Sequence, residues 1–134
     1  METNNNDSAK KLQRDPSLDE SKLLSLEYLG ERDLAFLQLV LTGYKKDGLS
    51  LVRKIEQCHQ TSNLPSMLDN INILRSISQT LGAHTVIGYL DELEKESTHQ
   101  NKTQFTIVIE TLYTEFRKIK QYADAYLQRR LDTQ

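Results

Sequence analysis

After Pro16, apolar residues recur three and four positions apart along nearly the whole chain, and no stretch alternates apolar with polar in the period of a strand. That pattern predicts an all-α protein. A short first helix opens at Ser17 or Asp19 as N-cap, carries Leu23, Leu24, Leu26 and Leu29, and ends at Gly30 in the C′ position. A second segment, Glu31 to about Gln60, bears Leu34, Phe36, Leu37, Val40, Leu41, Tyr44, Leu51, Val52 and Ile55. Gly43 and Asp47-Gly48 weaken its middle, since each glycine costs about 1 kcal/mol relative to alanine, yet one long helix, bent there if anywhere, is preferred to two short ones. Thr61 to Pro65 make a link, and Pro65 suits the first turn of a third helix, which runs to Leu81 and is closed by Gly82. A fourth follows at once on Val86, Ile87, Leu90 and Leu93, and Glu94 to Lys102 read as its end and a loop. The fifth, Thr103 to about Leu131, has the cleanest stripe: Phe105, Val108, Ile109, Leu112, Phe116, Ile119, Ala123 and Leu127.

Short connections between long amphipathic helices imply antiparallel neighbours. The expected architecture is an antiparallel up-down four-helix bundle with a short additional N-terminal helix, spanning residues 16 to 134. With 134 residues and 37% apolar content there is material for one core. Residues Met1 to Asp15, rich in Asn, Asp, Ser and Lys, cannot offset the entropy of ordering and are expected to form a disordered tail.

The third helix divides sharply. With side chains turning about 100° per residue, Met67, Ile71, Leu74, Ile77, Ser78 and Leu81 share one side and should pack. Leu68, Asn72, Arg75, Ser76 and Gln79 share the other and are the candidate partner surface, with exposed residues of the second helix beside them.

Leu74, Arg75, Ser76, Ser78, Leu81, Gly82 and Ala83 resemble the signature of histidine-containing phosphotransfer (HPt) domains, His-x-Leu-Lys-Gly-x-Ser-x-x-hydrophobic-Gly-Ala, with Arg75 for the Lys and Ser76 for the first Gly. Val86, Leu90 and Leu93-Glu94 are similar to the family's fourth-helix pattern, and Phe36-Leu37, Val40, Tyr44 and Asp47 to its second-helix pattern. The resemblance covers roughly residues 17 to 131. It implies a four-helix bundle in which a histidine of the third helix carries a phosphoryl group between a kinase or receiver domain and another receiver.

The position of that histidine is occupied by Asn72. A carboxamide nitrogen is delocalised into its carbonyl and lacks the lone pair that neutral imidazole offers an aspartyl phosphate. Asn72 still donates and accepts hydrogen bonds, and Arg75 keeps a cation whose planar fork pairs with carboxylates or phosphate. Ser76 adds a small side chain where the family leaves room, and Leu68 adds apolar contact area. The resemblance therefore implies a pseudo-HPt protein that is not an enzyme and uses no cofactor or metal, and the polar start Met1 to Arg14, without the apolar stretch of a secretory signal, makes the cytoplasm the expected location. Its partners would be a response-regulator receiver domain or a histidine kinase of a two-component phosphorelay, met as inhibitor, competitor or scaffold. Plant members of the family with Asn at this position behave as inhibitors, which is analogy alone. The alternatives are an active phosphotransfer protein using a displaced His84, or a helical adaptor or self-association module.

Composition adds mainly exclusions. A net charge of −2 with dispersed Lys and Arg gives no nucleic-acid or anionic-membrane footprint. No apolar run reaches the roughly 20 residues of a membrane span. Cys58 has no partner for an internal disulfide and reads as a buried structural thiol; with His59, His84 and His99 it gives no zinc-ligand spacing. His59, at the end of the second helix, and His99, in a polar loop, are expected to be solvated. So are the acidic residues Asp91, Glu92, Glu94 and Glu96 and the basic side of the last helix, Arg117, Lys118, Lys120, Arg129 and Arg130.

Overall fold

A computed structural model describes residues 17–99 and 101–133, and the tail expected for Met1 to Asp15 lies outside them. Five helices follow one another: α1 (Glu20–Leu29), α2 (Leu34–Gln60), α3 (Leu64–Leu81), α4 (His84–His99) and α5 (Lys102–Asp132). No strand occurs among the described residues. The long helices pack in a ring, α2 on α3, α3 on α4, α4 on α5 and α5 back on α2, which is the expected up-down four-helix bundle. The short α1 lies against α2 and α3, and Leu18, Leu23 and Leu26 fill the bundle end. Leu24 and Leu29 of the same helix are exposed, at 37% and 76%. No helix among the described residues is long and apolar enough to cross a membrane.

Three boundaries differ from expectation, each for a local reason. Asp19 does cap α1, accepting from Ser21 N at 2.9 Å. Gly30, however, ends α1 with φ −87°, and the left-handed positions fall to Glu31 and Arg32, at φ 57° and 65°. These two residues form a turn instead of starting α2, which is capped by Asp33 through Ala35 N at 2.9 Å. The expected loop at Glu94 is absent because α4 continues to His99; Glu94, Lys95 and Glu96 are good helix formers, and polarity does not stop a helix on its wet side.

α2 is one continuous helix through both glycines. Gly48 is where α5 comes closest: a Cβ there would lie 2.4 Å from Cε1 of Phe116, so the absent side chain is what admits the ring. At the other end of α3, Gly82 takes φ 66° and the Ala83 N–H donates back to Ser78 O at 2.9 Å, closing the helix as the Gly-Ala pair promised. Asp19 N then donates to Leu81 O at 3.2 Å, which ties the approach to α1 onto the end of α3.

Candidate functional site

The side of α3 expected to pack is buried at Met67, Ile71, Leu74, Ser78 and Leu81, with Ile77 half-buried at its edge. Ser78 is held among these apolar groups by Tyr44 of α2, whose hydroxyl lies 2.7 Å from the serine oxygen. Burial pushes the Tyr44 phenol well above the usual tyrosine range, so it serves as a neutral hydrogen-bonding group. With the Tyr44 ring tilted against Phe116 at 5.4 Å, the pair fixes the rotation of α3 about its own axis.

That rotation decides what α3 presents. Asn72, Ser76 and Gln79 are exposed, while Leu68 and Arg75 are half-buried along the α4 side of the same face. The five residues singled out from the sequence do form one surface. Arg75 was expected to extend a cation toward a partner, but it is engaged within the chain. Its Nε donates to Asp91 Oδ1 at 3.1 Å, Nη2 donates to Glu94 Oε2 at 2.9 Å, and Nη1 donates to Asn72 Oδ1. Asp91 and Glu94 of α4, expected to be merely solvated, thus pair with the cation one helix away.

Along the other edge of the face, between α2 and α3, lies an apolar groove of about 260 Å³, lined by Leu39, Val40, Gly43, Tyr44, Asp47, Ile77, Thr80 and Leu81. Leu39 is 71% exposed at its rim, and Ile73, one turn before Ile77, is 51% exposed. Sequence reasoning missed Leu39 and Ile73. The signal was present for Ile73, which sits about 100° from Asn72 and off the buried stripe.

The histidines do not rebuild a phosphoacceptor on this face. His84 opens α4 beyond the end of α3, exposed, with Nε2 at 3.8 Å from Asp19 Oδ2. Leu81, the last residue of α3, lies nine positions beyond Asn72, about 14 Å along the axis. His99 is the last residue of α4 instead of a loop residue. His59 is not solvated as expected: it is half-buried and stacked on Phe105 at 3.7 Å, and burial, with Lys102 second, holds its pKa below the ordinary value. Cys58 is half-buried rather than buried, with Asn70 Nδ2 4.0 Å from its sulfur.

Among the described residues no group of three or more His, Cys, Asp or Glu side chains is placed to hold a metal ion, and no buried side-chain polar atom lacks a partner. The basic end of α5 is also more committed than expected. Arg130 donates through Nε and Nη2 to both oxygens of the buried Glu27, at 2.9 and 3.0 Å, and Tyr126 adds a third bond to the same carboxylate at 3.1 Å. What the α3 face offers chemically is hydrogen bonding, charge and apolar contact, with the carboxamide of Asn72 at its middle.

No protein-family model matches the chain, and no curated protein matches its sequence. Among solved structures it is similar to the crystal structure of histidine-containing phosphotransfer protein B from Pseudomonas aeruginosa PAO1, with a TM-score of 0.71 and 22% sequence identity. The likeness covers 85% of this chain and 96% of that one, and what it establishes is an HPt-like fold.

Proposed function

We propose that this chain is a pseudo-phosphotransfer protein in the sense of the family's fold: an HPt-like bundle that binds phosphorelay partners without carrying phosphate. The observation that carries the proposal is Asn72, exposed at the middle of the α3 face where the resembled signature has its histidine. The fold likeness supports a place in a two-component phosphorelay, and the carboxamide at this position supports binding without transfer. The partner is a receiver domain or a histidine kinase, met in the cytoplasm, and the effect is competition with a true phosphotransfer protein or scaffolding of the relay.

The contact surface combines Leu68, Asn72, Arg75, Ser76 and Gln79 with the groove residues Leu39 and Ile77 and with the exposed Ile73 beside them. Exposed aliphatic side chains beside polar ones supply the apolar centre that a transient interface of about 1,200 Å² or less needs. The test is a binding titration of the full chain against the receiver domains and histidine kinases of its own cell, with radiolabelled phosphate followed in parallel. Saturable binding without label transfer is the expected result. Label on the chain would overturn it in favour of a displaced histidine such as His84, and no binding to any of these partners would leave the bundle as an adaptor for another task.

A further inference from the structure

Arg75 holds the one basic group of the α3 face, yet it is the more sheltered member of its ion pairs: its side chain is 21% exposed, against 61% for Asp91 and 45% for Glu94. A guanidinium has five N–H donors, and at least three of these are spent on Asp91, Glu94 and Asn72. The Nη2 nitrogen is also only 3.0 Å from Asp91 Oδ1. One cation between two carboxylates leaves this cluster with a net charge of −1. A partner carboxylate approaching Arg75 therefore meets Asp91 and Glu94 first, and finds the fork already filled in the way that it would fill it.

Resting on the docking function proposed above, we propose that Asp91 and Glu94 are specificity-determining residues that act as an internal stand-in for the partner's carboxylates. Docking of an acidic surface onto α3 proceeds by exchange: Arg75 leaves α4 and transfers its fork to the partner. Asn72 takes part because its carboxamide oxygen accepts from Nη1 and keeps the guanidinium turned toward α4 while the face is empty. Partners offering two or more converging carboxylates can complete the exchange; a single surface carboxylate cannot displace a pair that is already covalently tethered beside the cation.

The exchange is tested with the full chain and whichever receiver domain binds it in the titration above. Asp91→Asn with Glu94→Gln removes both charges and keeps the side-chain shapes, and tightens binding by roughly three- to tenfold, the scale of two partly exposed ion pairs. The same two changes made together with Arg75→Ala give no gain. Unchanged or weaker binding of the Asp91→Asn, Glu94→Gln chain overturns the proposal, weaker binding meaning that the partner brings a cation to these carboxylates. An equal gain in the Arg75→Ala background overturns it as well, because simple relief of repulsion then accounts for the effect. A measurement without partner separates this proposal from the docking function: in the free protein the Arg75 Nε–H exchanges with water more slowly than that of exposed Arg117, and loses the protection in the Asp91→Asn, Glu94→Gln chain. Fast exchange in the unmodified chain overturns the clamp even where docking stands, and failure of every chain to bind a receiver removes both.

Discussion

The hydroxyls of Tyr44 and Ser78 meet at 2.7 Å inside the bundle, joining α2 to α3 directly beneath the exposed face. Both residues are buried, so neither oxygen has water to fall back on. Tyr44→Phe or Ser78→Ala strands the other hydroxyl and is expected to cost about 1–3 kcal/mol, while the double change costs less than the sum, because no polar group is left unpaired. Urea unfolding of the four chains of this cycle measures the coupling.

The two glycines of α2 should respond to alanine with opposite signs. At Gly43 a Cβ would have nothing within 4 Å, so Gly43→Ala gains helix propensity, up to about 1 kcal/mol. At Gly48 the new methyl would drive into the Phe116 ring, and Gly48→Ala is expected to lose about 1–3 kcal/mol through overpacking despite the same propensity gain. Equal effects in thermal unfolding would mean that α5 does not close on Gly48.

Much of this architecture is legible in the sequence, since the buried stripe of α3 and the stripe of α5 need only helical periodicity to be seen. The Gly82-Ala83 closure was equally local. What was not legible depends on pairs far apart in the chain. Arg75 meets Asp91 and Glu94 only because α4 packs beside α3, and Glu27 meets Arg130 across 103 positions. Tyr126, one residue from the expected Leu127, is the fully buried one, because its hydroxyl has the Glu27 carboxylate to satisfy it. The groove rim escaped notice for a related reason: Leu39 is apolar and sits within the amphipathic pattern of α2, and only the packing of α3 beside it decides that it stays 71% exposed.

The Glu27, Arg130 and Tyr126 cluster ties the end of α5 to α1, and Glu27 contributes a buried carboxylate that only these partners satisfy. Glu27→Ala leaves a buried phenol and a guanidinium without their acceptor. The melting temperature is expected to fall by roughly 5–10 °C. If the docking function proposed above holds, binding to a receiver through α3, measured below the transition, stays unchanged, since the cluster joins α1 to α5 whereas Arg75, Asp91 and Glu94 join α3 to α4.

Because His59 has a lower pKa folded than its ordinary 6.5, the unfolded chain binds more protons here as the pH drops below that value. The His59 contribution to stability is therefore present above pH 6.5 and lost as the pH falls through the folded pKa. His59→Phe keeps a ring against Phe105 and cannot titrate. Denaturant midpoints taken between pH 7 and pH 5 should thus fall for the unmodified chain relative to His59→Phe, and parallel curves would show that the stack does not exclude the imidazolium.

The last prediction concerns position 72 itself. If the α3 face keeps the geometry of a phosphotransfer surface and lacks only the reacting atom, Asn72→His combined with Ser76→Gly should restore transfer. A ring nitrogen of the new histidine would attack the phosphorus of a receiver's aspartyl phosphate, forming N–P as the acyl O–P bond breaks and the carboxylate leaves with the electron pair. Arg75, already within hydrogen-bond reach of position 72, would neutralise the transferred phosphoryl group once released from Asp91 and Glu94. The expected outcome is acid-labile, base-stable label on the double variant and none on the unmodified chain. An unlabelled variant that still binds the phosphorylated receiver would mean that docking here brings the phosphate to some other part of the bundle, and that Asn72 marks a surface whose chemistry has been replaced and not merely switched off.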